Sequence, residues 1–96
     1  MKHKINVSEE DIKNGIPSES KSCAISQALR RKFNTDETYT IIDDTTGDVS
    51  IEVDDIEFQV NHMHKSNVVD FIYDFDQEDG WSKVKPITFE IIERTE

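Results

Sequence analysis

The 96-residue sequence is poor in several residue types, with one cysteine, two prolines and three scattered glycines. Because Cys23 is alone, an internal disulfide and a cysteine-built zinc site are excluded. The glycines are too few and too separated for a loop that cradles phosphates, and the sequence has no nucleotide-binding motif. No apolar run approaches a signal peptide or the ~20 residues of a membrane span. We therefore expect a cytoplasmic protein that binds no membrane.

Negative charge is abundant and unevenly distributed, with a formal net charge of −10. Residues 1–35 carry a net charge of +3, residues 36–80 a net charge of −13 with Lys65 as their one cation, and residues 81–96 are neutral. Such a field repels phosphate backbones, so we expect no direct binding of nucleic acid. One explanation of this charge is that the acidic residues only keep the protein soluble. The alternative is a surface that attracts basic protein grooves.

Three segments have helical patterns with capping or breaking residues at their ends. They are a short helix that starts at Ser8 and ends at Gly15, a helix near residues 20–33, and a helix from an N-cap at Ser66 to about Gln77. The second and third segments carry apolar residues at three- and four-residue spacings, which predicts one buried stripe on each helix.

Five segments have the composition or the alternation of strands, and they lie at residues 5–7, 39–42, 49–53, 56–60 and 87–91. The pair Asp54-Asp55 predicts a two-residue hairpin turn. Because helices and strands are intermixed, we predict one α+β domain over residues 1–96. Its small sheet, antiparallel or mixed, has about five strands, with two main helices on one face.

Two segments resemble a family of small uncharacterised acidic proteins encoded by bacteriophages. Residues 5–12 are similar to its I-x-V-x-x-x-D-I start, and residues 22–29 to its C-P-I-A-x-A-L helix, with Ala24 in place of proline. The segments 69–76 and 84–89 are also similar. The resemblance implies a phage-encoded accessory protein, and it brings no known catalytic residues.

Ten acidic residues are the candidate partner-binding residues, because they fall on two predicted turns and on and just after the third helix. If these stretches converge, the carboxylates imitate a row of phosphates, which a basic groove for DNA or RNA accepts. Each is also an ordinary turn, cap or solvent-exposed residue. The ten are Asp43, Asp44, Asp48, Asp54, Asp55, Asp70, Asp74, Asp76, Glu78 and Asp79.

Other candidates are weaker. Arg30, Arg31 and Lys32, with Trp81, form an alternative anion or nucleotide site, although cations in the last turn of a helix ordinarily complement its dipole.

His62 and His64 lack a second pair of ligands, so we expect no metal ion. Residues 74–80 do not match a calcium loop. Cys23 lies on an apolar stripe, which predicts a buried, non-catalytic thiol.

The favoured function is therefore a phage-type binding protein with no enzymatic activity and no cofactor. It inhibits or adapts a basic host protein that handles nucleic acid, such as a restriction or CRISPR complex, by presenting carboxylates to a basic groove. Two alternatives remain open. One is a binder that sequesters a nucleotide signal, as a homo-oligomer, and the other is a structural or assembly accessory protein.

Overall fold

Five antiparallel strands form one open sheet in the computed structural model, which describes residues 2–17, 19–42, 46, 48–77 and 80–94. The spatial order is β1-β5-β4-β3-β2, so the last strand lies between the first and the fourth. This confirms the predicted α+β class and shows that the sheet is antiparallel throughout. The strands are β1 (Lys2–Val7), β2 (Thr38–Ile42), β3 (Val49–Val53), β4 (Ile56–Val60) and β5 (Ile87–Glu93).

Alternation along each strand gives the sheet one buried face and one open face. The strand register places Ile5 opposite Phe89 and Ile51 opposite Phe58, and all four side chains are buried against the helices. The open face carries mainly polar and charged side chains, as expected for an antiparallel sheet with one solvated side. Helices and core therefore lie on one side of the sheet, which leaves the other side available to a partner.

The helices pack with the apolar stripes that their spacing predicts. They are α1 (Glu9–Asn14), α2 (Ala24–Phe33) and α3 (Lys65–Phe75), and a 3-10 turn follows at Gly80–Ser82. The buried stripe of α2 includes Ala28 and Leu29, and that of α3 includes Val68 and Phe71. The C-cap of α1, Gly15, has no room for a side chain, because a Cβ there would lie 2.5 Å from the backbone nitrogen of Ala24.

Two helix starts differ from the prediction. The second helix begins at Ala24 rather than near residue 20, because the carbonyl of Ser20 accepts the N–H of Thr40 on β2 at 2.9 Å. Because this carbonyl is bonded to the sheet edge, it does not serve as an acceptor in the first turn of a helix. The third helix begins at Lys65 with His64 as its N-cap, so the predicted cap at Ser66 is wrong.

Both edges of the sheet are partly occupied by the chain itself. On β2 the bond from Thr40 to Ser20 covers part of the edge, and on β1 the carbonyl of Asn6 accepts a hydrogen bond from Arg31 at 2.8 Å. Lys2 and Lys4 also extend from β1, and lysines on an edge strand discourage pairing with another strand. These contacts oppose growth of the sheet by strand addition.

Candidate functional site

The described acidic candidates do not converge on one face. Asp48 precedes β3 and Asp54 follows it, so the two lie at opposite ends of one strand, about 20 Å apart. Asp70 and Asp74 lie on α3, where they line a depression together with Lys83 and Lys85. The expected continuous row of carboxylates is therefore broken by distance and by interleaved lysines. Asp43, Asp44, Glu78 and Asp79 lie outside the described residues.

Asp48 has a specific cationic partner. Its carboxylate lies 2.6 Å from the ammonium of Lys65, the first residue of α3. The hydrogen bond from Lys65, and a further one from Thr46, hold the pKa of Asp48 below its ordinary value. This pair ties the start of β3 to the start of α3, which is a structural role rather than a free binding charge.

The other end of β3 gathers carboxylates that the turn prediction found only in part. We call this cluster the acidic corner and define it as Glu37, Glu52, Asp54, Asp55 and Glu57. All but Glu57 line a depression of about 230 Å³ together with Tyr39. All but the half-buried Glu52 are exposed to solvent.

Backbone geometry positions the acidic corner. The turn between β3 and β4 holds Asp54 at φ 50° and Asp55 at φ 70°, a left-handed conformation that favours glycine or asparagine. The Oδ1 atom of Asp54 accepts a hydrogen bond from Thr35 Oγ1 at 2.7 Å, and its N–H donates to the carbonyl of Glu37. The turn and the start of β2 are thereby joined.

Two glutamates lie directly opposite each other on the open face. The hairpin register pairs Glu52 with Glu57, and such cross-strand neighbours have Cβ atoms about 5 Å apart. Like charges at this spacing destabilise a hairpin. The sequence analysis named acids in turns and therefore missed both residues. The predicted two-residue turn at 54–55 nevertheless implies this pairing, because it places residue 52 opposite residue 57.

The described cations that contact the acidic corner lie at its borders. Lys21 Nζ lies 4.0 Å from Glu37 and 5.9 Å from the centre of the Tyr39 ring, and Arg94 lies 3.7 Å from Glu57. The five carboxylates of the acidic corner therefore have two described cations close to them, Lys21 and Arg94. Lys2 and Lys4 lie on β1, at the far edge of the open face. This face therefore runs from a lysine-bearing edge to a carboxylate-rich edge.

The alternative anion site is not assembled from the described side chains. Arg31 donates from Nη1 to both oxygens of Asp11, at 2.6 and 2.7 Å, and Arg30 donates to the carbonyl of Lys21 at 2.9 Å. The two guanidinium groups are thus engaged in contacts with different segments. Lys32 is exposed beside them, and the side chain of Trp81 lies outside the described part of the structure.

The histidine segment has a structural role. His64 accepts the backbone N–H of Glu90 on its Nδ1 atom at 3.1 Å, and the side chain of Asn61 donates to the Glu90 carboxylate at 3.0 Å. His62 is exposed in the same turn. Over residues 2–17, 19–42, 46, 48–77 and 80–94, no group of three or more His, Cys, Asp or Glu side chains is arranged to hold a metal ion.

A third concave region lies between α2, β2 and α3. We call it the apolar groove, and it has a volume of about 340 Å³ between the start of α2, strand β2 and the end of α3. Cys23 lines it and is only half-buried, so the prediction of a buried thiol is wrong. The reason is that Cys23 is the N-cap of α2, one residue before the buried stripe begins.

Comparisons with family models, curated proteins and solved structures return no significant match to this chain. Within the described residues, no helix is long and apolar enough to cross a membrane. The comparisons therefore provide no relative from which a function could be transferred to this chain.

Proposed function

We propose that this protein is a non-catalytic binding protein, and that it docks its acidic corner against a basic surface of a protein that handles nucleic acid. The observation that carries the proposal is the pairing of Glu52 with Glu57 beside the two left-handed aspartates of the turn. Repulsion and backbone strain both cost folding free energy there. A basic partner would relieve the repulsion, so the arrangement suits binding better than it suits stability.

The mechanism is occupation of a basic groove by electrostatics and shape, with no chemical step. Neighbouring strands are about 5 Å apart, so carboxylates on β3 and β4 present closely spaced negative charges across the sheet. The net charge of −10 steers a basic partner toward the protein from a distance. The resemblance to phage proteins supports a host protein as that partner, and cytoplasmic action within the host cell is part of the same proposal.

Affinity capture from bacterial lysate tests the proposal with matched variants. The corner variant combines Glu52→Gln with Glu57→Gln, and the control combines Glu9→Gln with Glu10→Gln in the first turn of α1. Both variants lose two exposed or half-buried carboxylates. The corner variant removes the Glu52–Glu57 repulsion and also the Glu57–Arg94 ion pair, so circular dichroism of both variants establishes that weaker binding does not reflect unfolding.

We expect the wild-type protein to capture a basic protein that duplex DNA or RNA displaces. The corner variant should weaken this complex about tenfold, which corresponds to about 1.4 kcal/mol, and the control less than about twofold. Affinity should fall between about 50 mM and about 200 mM salt, as expected for exposed charges. Unchanged affinity of the corner variant, no competition by nucleic acid, or capture of no nucleic-acid-binding protein would each contradict the proposal.

No described contact favours the nucleotide-sequestering alternative. Arg31 is held by the carboxylate of Asp11, and Arg30 donates from Nη2 to the carbonyl of Lys21, although its buried Nε atom has no partner among the described residues. Among the described residues, no feature favours an accessory role in phage assembly either. We therefore retain one proposed function.

A further inference from the structure

The apolar groove is a feature that the acidic corner does not account for. Its floor and walls include Ala24, Ile42, Phe71, Ile72 and Phe75. Its volume of about 340 Å³ is at the lower end of the range for ligand pockets. An α-helix is about 10 Å wide with its side chains, so we expect the groove to receive individual side chains rather than a whole helix.

Carboxylates border this apolar surface. Glu19 and Asp76 both line the groove and are exposed to solvent. Among the described residues that line it, none is a lysine or an arginine. An occupant that is apolar where it enters and positively charged beside that point therefore matches the groove.

The groove and the acidic corner lie on opposite faces of the sheet and approach each other at the edge strand β2. Strand β2 contributes Tyr39 to the acidic depression, and its next residues, Thr40 to Ile42, line the groove. The segment before α2 links them in the same way, because Ser20 lines the groove and Lys21 contacts Glu37. Because Tyr39 faces the open side of the sheet and Thr40 the helix side, a partner that contacts both regions has to extend around the β2 edge.

We infer that the apolar groove receives one apolar side chain from a basic segment of a protein partner, with a neighbouring lysine or arginine of that segment facing Glu19 and Asp76. The choice of a basic protein as partner rests on the proposed function. Interfaces commonly combine a buried apolar or aromatic anchor with a charged surround. The anchor adds affinity that persists in high salt, whereas the acidic corner adds attraction that salt screens.

Cys23 provides the readout, since it lines the groove and is the one cysteine of the chain. The probe is an acetylated and amidated pentapeptide with one phenylalanine between two pairs of lysines. A first control peptide has alanine in place of phenylalanine, and a second has glutamate in place of every lysine. The rate of Cys23 alkylation by N-ethylmaleimide is measured with each peptide, together with methyl NMR shifts of Ile42 and Ile72.

We expect the phenylalanine–lysine peptide at about twice its Kd to slow alkylation about threefold and to shift both methyl signals. The alanine and glutamate peptides at the same concentration should do neither. Ile72→Arg should abolish the protection, and Met63→Arg, at an exposed position in the turn before α3, should leave it unchanged. The NMR spectra show in the same samples whether each variant is folded.

The outcomes separate the two proposals. Alkylation of Cys23 and methyl signals of Ile42 and Ile72 that the phenylalanine peptide leaves unchanged overturn the groove inference and leave the proposed function in place. Protection by the glutamate peptide equal to that by the lysine peptide overturns the requirement for a basic neighbour. Failure of the corner variant to weaken capture overturns the proposed function independently of the result at the groove.

Discussion

Arg31 on α2 binds the carboxylate of Asp11 on α1 through a single nitrogen, with Nη1 2.6 Å from Oδ1 and 2.7 Å from Oδ2. Its Nη2 atom donates to the carbonyl of Asn6 on β1. Asp11 is also the third residue of α1 and accepts the N–H of its N-cap, Ser8. The Asp11–Arg31 pair therefore joins two helices and an edge strand.

Replacing this carboxylate should reduce stability substantially. We expect Asp11→Asn to lower the free energy of unfolding by about 2 kcal/mol, because it removes the charge partner of Arg31 and one half of the capping box. Urea denaturation followed by circular dichroism measures the change. Glu10→Gln, an exposed neighbour in the same turn, is the control and should change stability by less than about 0.5 kcal/mol. Equal effects of the two substitutions would contradict the assigned role of Asp11.

The Asp48–Lys65 pair should make stability depend on pH in acid. Because the pKa of Asp48 is lowered in the folded protein, the pair stabilises the fold above the ordinary aspartate pKa of about 3.9. This contribution is lost as the pH falls through the lower, folded value. Carboxyl-carbon NMR should show Asp48 titrating at higher pH in Lys65→Met than in the wild-type protein. Lys65→Met should lower the urea midpoint at pH 6 and lower it progressively less as the pH falls below the ordinary aspartate range, and an equal loss at every pH would show that the pair is not responsible.

The turn between β3 and β4 should be easy to stabilise. Asp55 adopts φ 70°, so Asp55→Gly removes strain and should raise the free energy of unfolding by about 0.5–1 kcal/mol. Asp55→Ala keeps the strain and should not raise it. Thermal unfolding measures both variants. If the acidic corner binds a basic partner, Asp55→Gly should also weaken capture, so a gain in both stability and affinity would count against a binding role for this residue.

The stability of the fold should depend on a buried cluster of hydroxyl groups on the inner side of β2. Ser26 Oγ donates to the carbonyl of Ser20 at 2.6 Å and lies 3.0 Å from Thr40 Oγ1. Ser26→Ala leaves both partners short of a hydrogen bond, so we expect a loss of about 1–2 kcal/mol in urea denaturation. Ser66→Ala, at an exposed position of α3, is the matched control. A loss below about 0.5 kcal/mol at Ser26 would indicate that other groups satisfy these partners.

Local patterns in the sequence predicted much of the fold. The alternation at residues 56, 58 and 60 predicted β4, and Asp54-Asp55 predicted the turn before it, since period and turn chemistry are properties of neighbouring residues. The same patterns gave wrong helix boundaries where a group distant in the sequence takes up a backbone hydrogen bond. Ser20 looked like the beginning of a helix, but its carbonyl accepts the N–H of Thr40, twenty residues further along the chain.

The candidate site shows the same division. Asp54 and Asp55 were found as acidic turn residues, whereas Glu52 and Glu57 were missed because they alternate with core residues in two strands. The expected cluster with Asp48 did not form, because a strand of five residues separates the two turns.

By itself, the sequence determined which segments become strands and helices, which of their faces are apolar, and where negative charge is concentrated. Only the tertiary structure decided that β5 lies between β1 and β4, that Arg31 binds Asp11, and that the acidic corner and the apolar groove approach each other at β2. The physical reason is that periodicity and capping act over a few residues. Strand order and salt-bridge partners depend on how well distant surfaces pack, and that packing is settled over the whole chain at once.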